Sequence, residues 1–436
     1  MTLPATGRPH TVAAFVHRAD LGLRSGRAAL VLCVCAVTLG AGWALKAGCL
    51  APWDGRQYRT LCYNDIQPLY TGRAIDRGVF PYIHGELIRG ELTSGAIEYP
   101  VLTGTFMWAS GSLASDADGY LKVSALLLAP FGLLTASLLA GMSGWRGLLW
   151  AAAPALALYG FHNWDLLVVA AVVGAAWAHG RGHPLWGAGL LGLGGALKLY
   201  PLLFVVPLVL DEWRRSRRRG VQAALVAVTT VVAANAPFFA QNPGGWWATY
   251  RFQSLRTADF NTVWAWSWPS AGADVINALT TALIVASCLA LLVWGWTITR
   301  GAPGFPWLQV SAASLAAFLL WNKVHSPQFV LWLLPFFALL RVRLRWWAVY
   351  SVVDLVLYVG IFRWFYDFAY LGLDVTLAKV ALISAVWARA VLLAMLIVVF
   401  MRAPATVAPP GVAQLSQSSR PMRKVTEVGS ESSARA

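Results

Sequence analysis

The chain reads as an all-α, polytopic membrane protein, on three observations: its composition, the length of its apolar runs and the placement of its basic residues. Its 436 residues are 58% hydrophobic and 12% charged, with a mean hydropathy of +0.59, outside the range of an ordinary soluble domain. Apolar runs of the roughly 20 residues that cross a hydrocarbon core recur from Ala28 to Phe400. Such runs are expected to be helical, because lipid offers no partner to an open backbone. A net charge of +15 would point a soluble protein toward nucleic acid. Here the basic residues gather between apolar runs, as at Arg214, Arg215, Arg217, Arg218 and Arg219, which suits an anionic cytoplasmic leaflet, so membrane lipids and not nucleic acid are the expected partner.

Taken in order, Arg18, Arg24 and Arg27 precede a first span at Ala28 to Lys46, which puts residues 1–27 in the cytoplasm as a short amino-terminal segment. That first apolar run is expected to be a retained helix and not a cleaved leader. Residues 47–98 then form a large outer loop, too long for a simple connection. Further spans are predicted at Tyr99 to Ala114, Tyr120 to Met142, Leu148 to Phe161, Leu166 to Ala178 and Leu185 to Leu210. The arginine cluster holds the end of the last one inside. Next come Val221 to Ala240, Asp274 to Thr297, Trp307 to Trp321, Phe329 to Leu340, Trp346 to Phe362 and Ala378 to Phe400, for twelve spans in all. Arg300 and the Arg341, Arg343, Arg345 triplet fall on the same inner side. The membrane-embedded unit covers 28–401, and the Pro/Ser-rich residues 402–436 are expected to be a disordered cytoplasmic tail. No internal repeat of the transporter kind is visible.

Of five cysteines, Cys49 and Cys62 lie in or beside the outer loop, and spacing leaves open whether they pair. Within that loop Asp65 stands among aromatics in Cys62-Tyr63-Asn64-Asp65-Ile66. A carboxylate there can act as a general base toward a hydroxyl, or it can simply cap a short helix from Ile66. A second constellation, Asn322-Lys323-Val324-His325-Ser326-Pro327-Gln328-Phe329, falls on the same predicted side. Its imidazole and ammonium suit phosphate oxygens, with a plain interfacial residue as the alternative reading of His325. Between Gln241 and Pro269, Arg251 and Arg256 run against the inside bias and match phosphate geometry, with a salt bridge to Asp259 as the bland alternative. The five tryptophans there (246, 247, 264, 266 and 268) suit an interfacial belt. Asp165 and Lys198 interrupt apolar stretches, as do Asp354 and Arg389, for which a buried ion pair is expected.

Tyr63-Asn64-Asp65-Ile66, Gly78-Val79-Phe80-Pro81-Tyr82, Glu98-Tyr99-Pro100-Val101-Leu102, His162-Asn163-Trp164-Asp165 and Lys198-Leu199-Tyr200-Pro201 together resemble glycosyltransferase family 87, a branch of the GT-C superfamily that includes actinobacterial polyprenyl-phosphomannose-dependent α-mannosyltransferases. The resemblance implies a GT-C-like fold in the cell membrane with an active site on the extracytoplasmic side. It also implies an inverting hexosyl transfer that uses no metal and no cofactor. The donor would be a polyprenyl-phosphate sugar, with mannose leading and arabinofuranose the alternative, and the acceptor an envelope glycolipid or glycan. Asp65 matches the family's general base, and His325 resembles the histidine facing it. Arg251, Arg256 and Lys323 are expected on the departing phosphate. Tyr63, Asn64, Glu98 and Lys198, which sit in the shared motifs, are expected to bind substrate. A lipid-linked-sugar transporter or flippase is the competing class; it would favour charged residues along a midplane path.

Overall fold

A computed structural model describes residues 26–50 and 53–406. The amino-terminal segment 1–27 and the disordered tail 402–436 expected from sequence therefore lie almost wholly outside the described residues. The protein is mostly helical and polytopic. Among the described residues, six helices are long and apolar enough to cross a membrane: α1 (Gly26–Ala47), α5 (Ala117–Ser143, continued to Ala151), α11 (Arg217–Gln241), α14 (Ala273–Ile298), α17 (Leu344–Leu371) and α18 (Leu377–Arg402). Four shorter apolar segments join them, at α8 (Asp165–Gly180), α9 (Pro184–Leu197), α15 (Trp307–Trp321) and Pro327–Leu339, whose α-helical part is α16 (Val330–Leu339).

Two expected spans are shorter still. The segment after Tyr99 is helical only as α4 (Val101–Gly111), and the run from Leu148 breaks into α6 (Leu148–Ala151) and α7 (Pro154–Tyr159). Pro154 is the cause of that break, since a proline starts a helix readily but cannot continue one. The stretch Leu185 to Leu210 is likewise divided. It runs as α9 to Leu197, turns through Lys198 and a 3-10 segment at Tyr200–Phe204, and resumes as α10 (Val205–Arg215). Broken helices of this kind occur in membranes where the freed backbone faces protein or a cavity, and that interruption delivers Lys198 to the site.

The first loop is folded and compact. Its helices are α2 (Arg56–Arg59) and α3 (Ile66–Gly72), followed by a two-stranded antiparallel hairpin of β1 (Leu87–Ile88) and β2 (Glu91–Leu92). Cys49 and Cys62 are joined in a disulfide. Tyr82 is buried, and its hydroxyl donates to the carbonyls of Tyr99 (2.8 Å) and Pro100 (3.0 Å), where α4 begins. Only a glycine at 104 admits that ring, because a Cβ there would fall 1.9 Å from the Tyr82 hydroxyl oxygen. The loop is thereby pinned against the first turn of α4. Helix α12 (Pro243–Leu255) packs on the hairpin, capped by Asn242, which accepts from the Gly245 amide at 2.9 Å.

The most completely buried helices are α8, α15 and α16. At the end of the molecule marked by Arg214 and Arg341, polar contacts close the packing. Arg146 donates to the carbonyls of Phe337, Leu340 and Val342 at 2.6–3.0 Å. His179 meets Asp211 (2.9 Å) and Glu212 (3.3 Å), with Arg215 bound to the same Asp211 carboxylate at 3.2 Å. These contacts tie α8 to α10. The ion pair expected between Asp354 and Arg389 does not form. Both are buried, but Asp354 accepts from the Tyr159 hydroxyl (3.3 Å), while Arg389 donates to the Asn261 carbonyl.

Candidate functional site

The peptide around Asp65 is shaped by its neighbour. Asn64 is buried, its side-chain oxygen accepting from the Gln67 amide (2.9 Å) and its Nδ2 donating to Gln67 Oε1 (2.7 Å). Asn64 thus performs the turn-capping task at the start of α3, and the Asp65 side chain makes no cap bond. Freed from that duty, Asp65 turns toward the α7–α8 junction. Its amide donates to the His162 carbonyl at 2.8 Å. Its Oδ2 accepts from Asn163 Nδ2 (2.9 Å) and Gln328 Nε2 (3.3 Å), and the neighbouring Tyr63 hydroxyl favours its ionised form. A carboxylate offers about four lone-pair sites, so two donors on Oδ2 leave Oδ1 open to another. His162 Nε2 stands 3.9 Å from Oδ1.

The Asp65 side chain is 23% exposed, and the surface it shows lines a cavity of about 720 Å³. Tyr63, Glu98, Lys198, Arg256 and Lys323 line the same cavity, with Pro68, Leu69, Phe252, Phe318, Phe329 and Trp332 forming apolar wall. Six of the nine residues singled out from the sequence as site residues thus share one space, drawn from the first loop, the start of α4, the α9 break, the end of α12 and the α15–α16 connection. Asn64, Arg251 and His325 are not among the lining residues. Arg251 is exposed on α12. His325 is buried behind the wall, its Nδ1 against the Leu319 carbonyl (2.9 Å) and its ring stacked on Phe329. The imidazole that faces the Asp65 carboxylate is that of His162.

The cavity cations differ in how they are compensated. Lys198 is buried and pairs with Asp165 at 2.7 Å, an oxygen that also accepts from Trp332 Nε1 at 2.6 Å. Arg256 pairs with Asp259 at 2.9 Å, the plain alternative weighed from sequence, and still presents surface to the cavity. Among the described residues Lys323 has no carboxylate partner within salt-bridge distance. Its ammonium donates to the Ser254 carbonyl (3.0 Å) and to that of Arg256. Glu98 is neutralised by a two-bond contact with Arg73, at 2.6 and 3.0 Å.

Burial raises the Asp65 carboxyl above its ordinary range. Hydrogen bonds from Asn163 and Tyr63, and the charges of Lys198 and Lys46, hold that rise back. Asp259 is likewise pushed up by burial against the pull of Arg256, and Lys323 is lowered by burial and by the neighbouring Arg256 charge.

Sequence reasoning passed over Asn163, Gln328 and His162, the groups that hold or face the carboxylate. All lay in stretches already singled out, His162 and Asn163 beside Asp165 and Gln328 three residues after His325. The signal in the first stretch was its polar density ahead of a long apolar helix. In the second, Pro327 starts a short helical turn that buries Gln328.

These elements define a multi-pass membrane protein with a polar, partly apolar-walled cavity centred on one carboxylate. The chain belongs to glycosyltransferase family 87, whose profile matches residues 98–322. It is therefore an enzyme of a glycosyltransferase family, acting between a sugar donor and an acceptor. No curated protein matches it.

Proposed function

We propose that the chain transfers a sugar, with mannose the leading candidate, from a polyprenyl-phosphate donor to a hydroxyl of an envelope glycolipid or glycan, with inversion and with Asp65 as general base. In this reading the fold is GT-C-like, its six long and four shorter apolar segments lie in the membrane, and the cavity opens on the extracytoplasmic side of the cell membrane. A disulfide in the first loop suits that side, because such bonds persist in oxidising compartments. The observation that carries the proposal is the sharing of one cavity by an accessible carboxylate with a spare acceptor site, two cationic side chains at Arg256 and Lys323, and an apolar wall.

The chemistry balances as follows. The acceptor hydroxyl donates to Asp65, its proton passes to the carboxylate, and its oxygen bonds to the anomeric carbon as the bond from that carbon to the phosphate oxygen breaks. The electron pair leaves with the phosphate. A polyprenyl phosphate departs as an anion already, so it calls for charge stabilisation and not for a general acid. Lys323, with only carbonyl partners, is the group best placed to supply that charge, and Arg256 contributes by sharing itself between Asp259 and phosphate. Glu98, Tyr63 and Lys198 shape the pocket for sugar hydroxyls. Arg251 acts at the rim. His325 supports the cavity wall and makes no substrate contact.

The test is transfer by membranes containing the protein, supplied with polyprenyl-phosphate mannose or, separately, polyprenyl-phosphate arabinose. Transfer from mannose and not arabinose is expected, and the reverse would reassign the sugar. Failure of both in correctly inserted protein, with lipid-linked sugar moving between leaflets instead, would overturn the enzyme proposal in favour of a flippase.

A further inference from the structure

Behind Asp65, on the side away from the cavity, lies a buried basic group that the proposed reaction does not use. Lys46, at the end of α1, is fully buried, and its ammonium nitrogen meets three partners: the Tyr63 carbonyl at 2.5 Å, the Tyr358 hydroxyl at 3.3 Å and His162 Nδ1 at 3.4 Å. With Lys46 as an ammonium, counting hydrogens assigns the imidazole. The Tyr63 carbonyl can only accept. The Tyr358 hydroxyl donates its own proton to the Leu61 carbonyl at 2.5 Å, so toward Lys46 it too accepts. An ammonium has three hydrogens for three acceptors, which makes His162 Nδ1 the third acceptor and puts the ring proton on Nε2. The opposite assignment, a neutral amine accepting from Nδ1–H, would aim an unprotonated Nε2 lone pair at the Asp65 carboxylate. His162 is held in place by Tyr63, Tyr159 and Phe362, whose rings pack 5.5–5.9 Å from its own.

We infer that Lys46 and His162 form a positioning relay for Asp65: the lysine fixes the imidazole tautomer, and the imidazole presents Nε2–H to Oδ1 and so keeps the base ionised and oriented. The inference rests on the general-base reading of Asp65 and assigns that site two further residues. Contacts of this kind are often long until substrate is bound, as at the 3.9 Å between His162 Nε2 and Asp65 Oδ1. Other charged or titratable groups around Asp65 are Lys198 after α9, Tyr63 in the first loop, Glu98 and Tyr99 ahead of α4, and Asp259 after α12. Lys198 is already committed to Asp165. Of the two lysines whose charges act on Asp65, Lys46 is thus the one that pairs with no other carboxylate among the described residues.

The test compares Lys46→Met, His162→Ala and His162→Gln with the wild type and with Asp65→Asn, in membranes, using the polyprenyl-phosphate sugar that supports transfer. Removing a positive charge raises the pKa of a nearby carboxylate, so Lys46→Met should move the acid limb of kcat/KM upward by roughly one pH unit. His162→Ala should lower kcat about tenfold to a hundredfold with the donor KM little changed. Glutamine can place an amide N–H near the position of Nε2, and His162→Gln should recover most of that loss. Should His162→Ala fail to insert, the acid limb of Lys46→Met and the rate of His162→Gln decide alone. An unmoved acid limb in Lys46→Met, with Asp65→Asn inactive, overturns the relay and leaves the base standing. A normal rate in Asp65→Asn removes the base itself.

Discussion

Replacing Asp65 by asparagine separates the chemistry of this side chain from its place in the fold. The two side chains are nearly isosteric. Asn163 Nδ2 and Gln328 Nε2 both donate to Oδ2, so the asparagine carbonyl oxygen should take that position and its amide nitrogen the position of Oδ1. The backbone bond from residue 65 to the His162 carbonyl is untouched. What disappears is the proton acceptor. General-base catalysis contributes about 10²- to 10⁴-fold, equivalent to about 3–5 kcal/mol of barrier, and the loss should fall on kcat because Arg256 and Lys323, the residues proposed to bind the donor, lie elsewhere on the cavity wall. Substitution also removes a partly buried charge, so folded yield and thermal midpoint in detergent should hold or rise. The assay is initial transfer rate in membranes matched for inserted protein. Wild-type kcat in Asp65→Asn, or equal loss of kcat and of thermal stability, would refute the reasoning. In the wild type the acid limb should fall above the ordinary carboxylate range, because burial raises the Asp65 pKa and the base is lost as pH drops through it.

Three further outcomes follow from the same geometry. Arg256→Ala should raise the donor KM, and Lys323→Met more so since it removes the cation that lacks a carboxylate; donor dependence unchanged in both would return them to loop architecture. Lys198→Met strands Asp165 in a buried setting and should destabilise the protein by about 3–5 kcal/mol, with Lys198→Met/Asp165→Asn recovering most of it; equal thermal midpoints for the single and double variants would contradict the pairing. Ser326→Cys should react with a membrane-impermeant thiol reagent from the extracytoplasmic side, and reaction only from the cytoplasm would reverse the proposed orientation.

Much of the fold was legible because hydrocarbon leaves so few choices. The long helices α1, α5, α11, α14, α17 and α18 each begin and end within a few residues of an apolar run or, for α17, extend it past Phe362 to Leu371. Where polar residues interrupt an apolar run, length alone misleads. Pro154 and the Lys198–Pro201 stretch divide what hydropathy joins. The lining of the candidate site was legible in its parts because Asp65, Glu98, Lys198, Arg256 and Lys323 stand out against 58% hydrophobic sequence. Their partners were not. That Asp165 binds Lys198, that Asp354 and Arg389 stay apart, and that His162 and not His325 faces Asp65 depend on which helix faces meet across the bundle. No local pattern encodes that. The capping choice at α3 shows the limit most plainly: Asn64 and Asp65 are both competent caps, and only the amides of Asn163 and Gln328, far off in sequence, draw the carboxylate away.

Charge balance ties the cavity to the kind of donor proposed for it. Glu98 is cancelled by Arg73, Lys198 by Asp165 and Arg256 by Asp259, while Asp65 faces the buried Lys46 through His162. The remainder is the single charge of Lys323. A sugar phosphodiester carries one negative charge, which that remainder matches; a sugar nucleotide with its diphosphate would bring more anion than the wall compensates. In the proposed transfer the total stays fixed, because Asp65 would become neutral as it takes the proton while the departing phosphomonoester gains the charge. Negative charge therefore moves across the cavity from Asp65 toward Lys323 and Arg256. Electrostatic preorganisation of this sort requires the two ends to be charged independently, and the carbonyls that bind Lys323 leave its charge in place while orienting it. It follows that Lys323→Met should slow the chemical step as well as weaken donor binding, so single-turnover rates at saturating donor should fall. A pure KM effect would mean that Lys323 binds the ground state and the transition state alike.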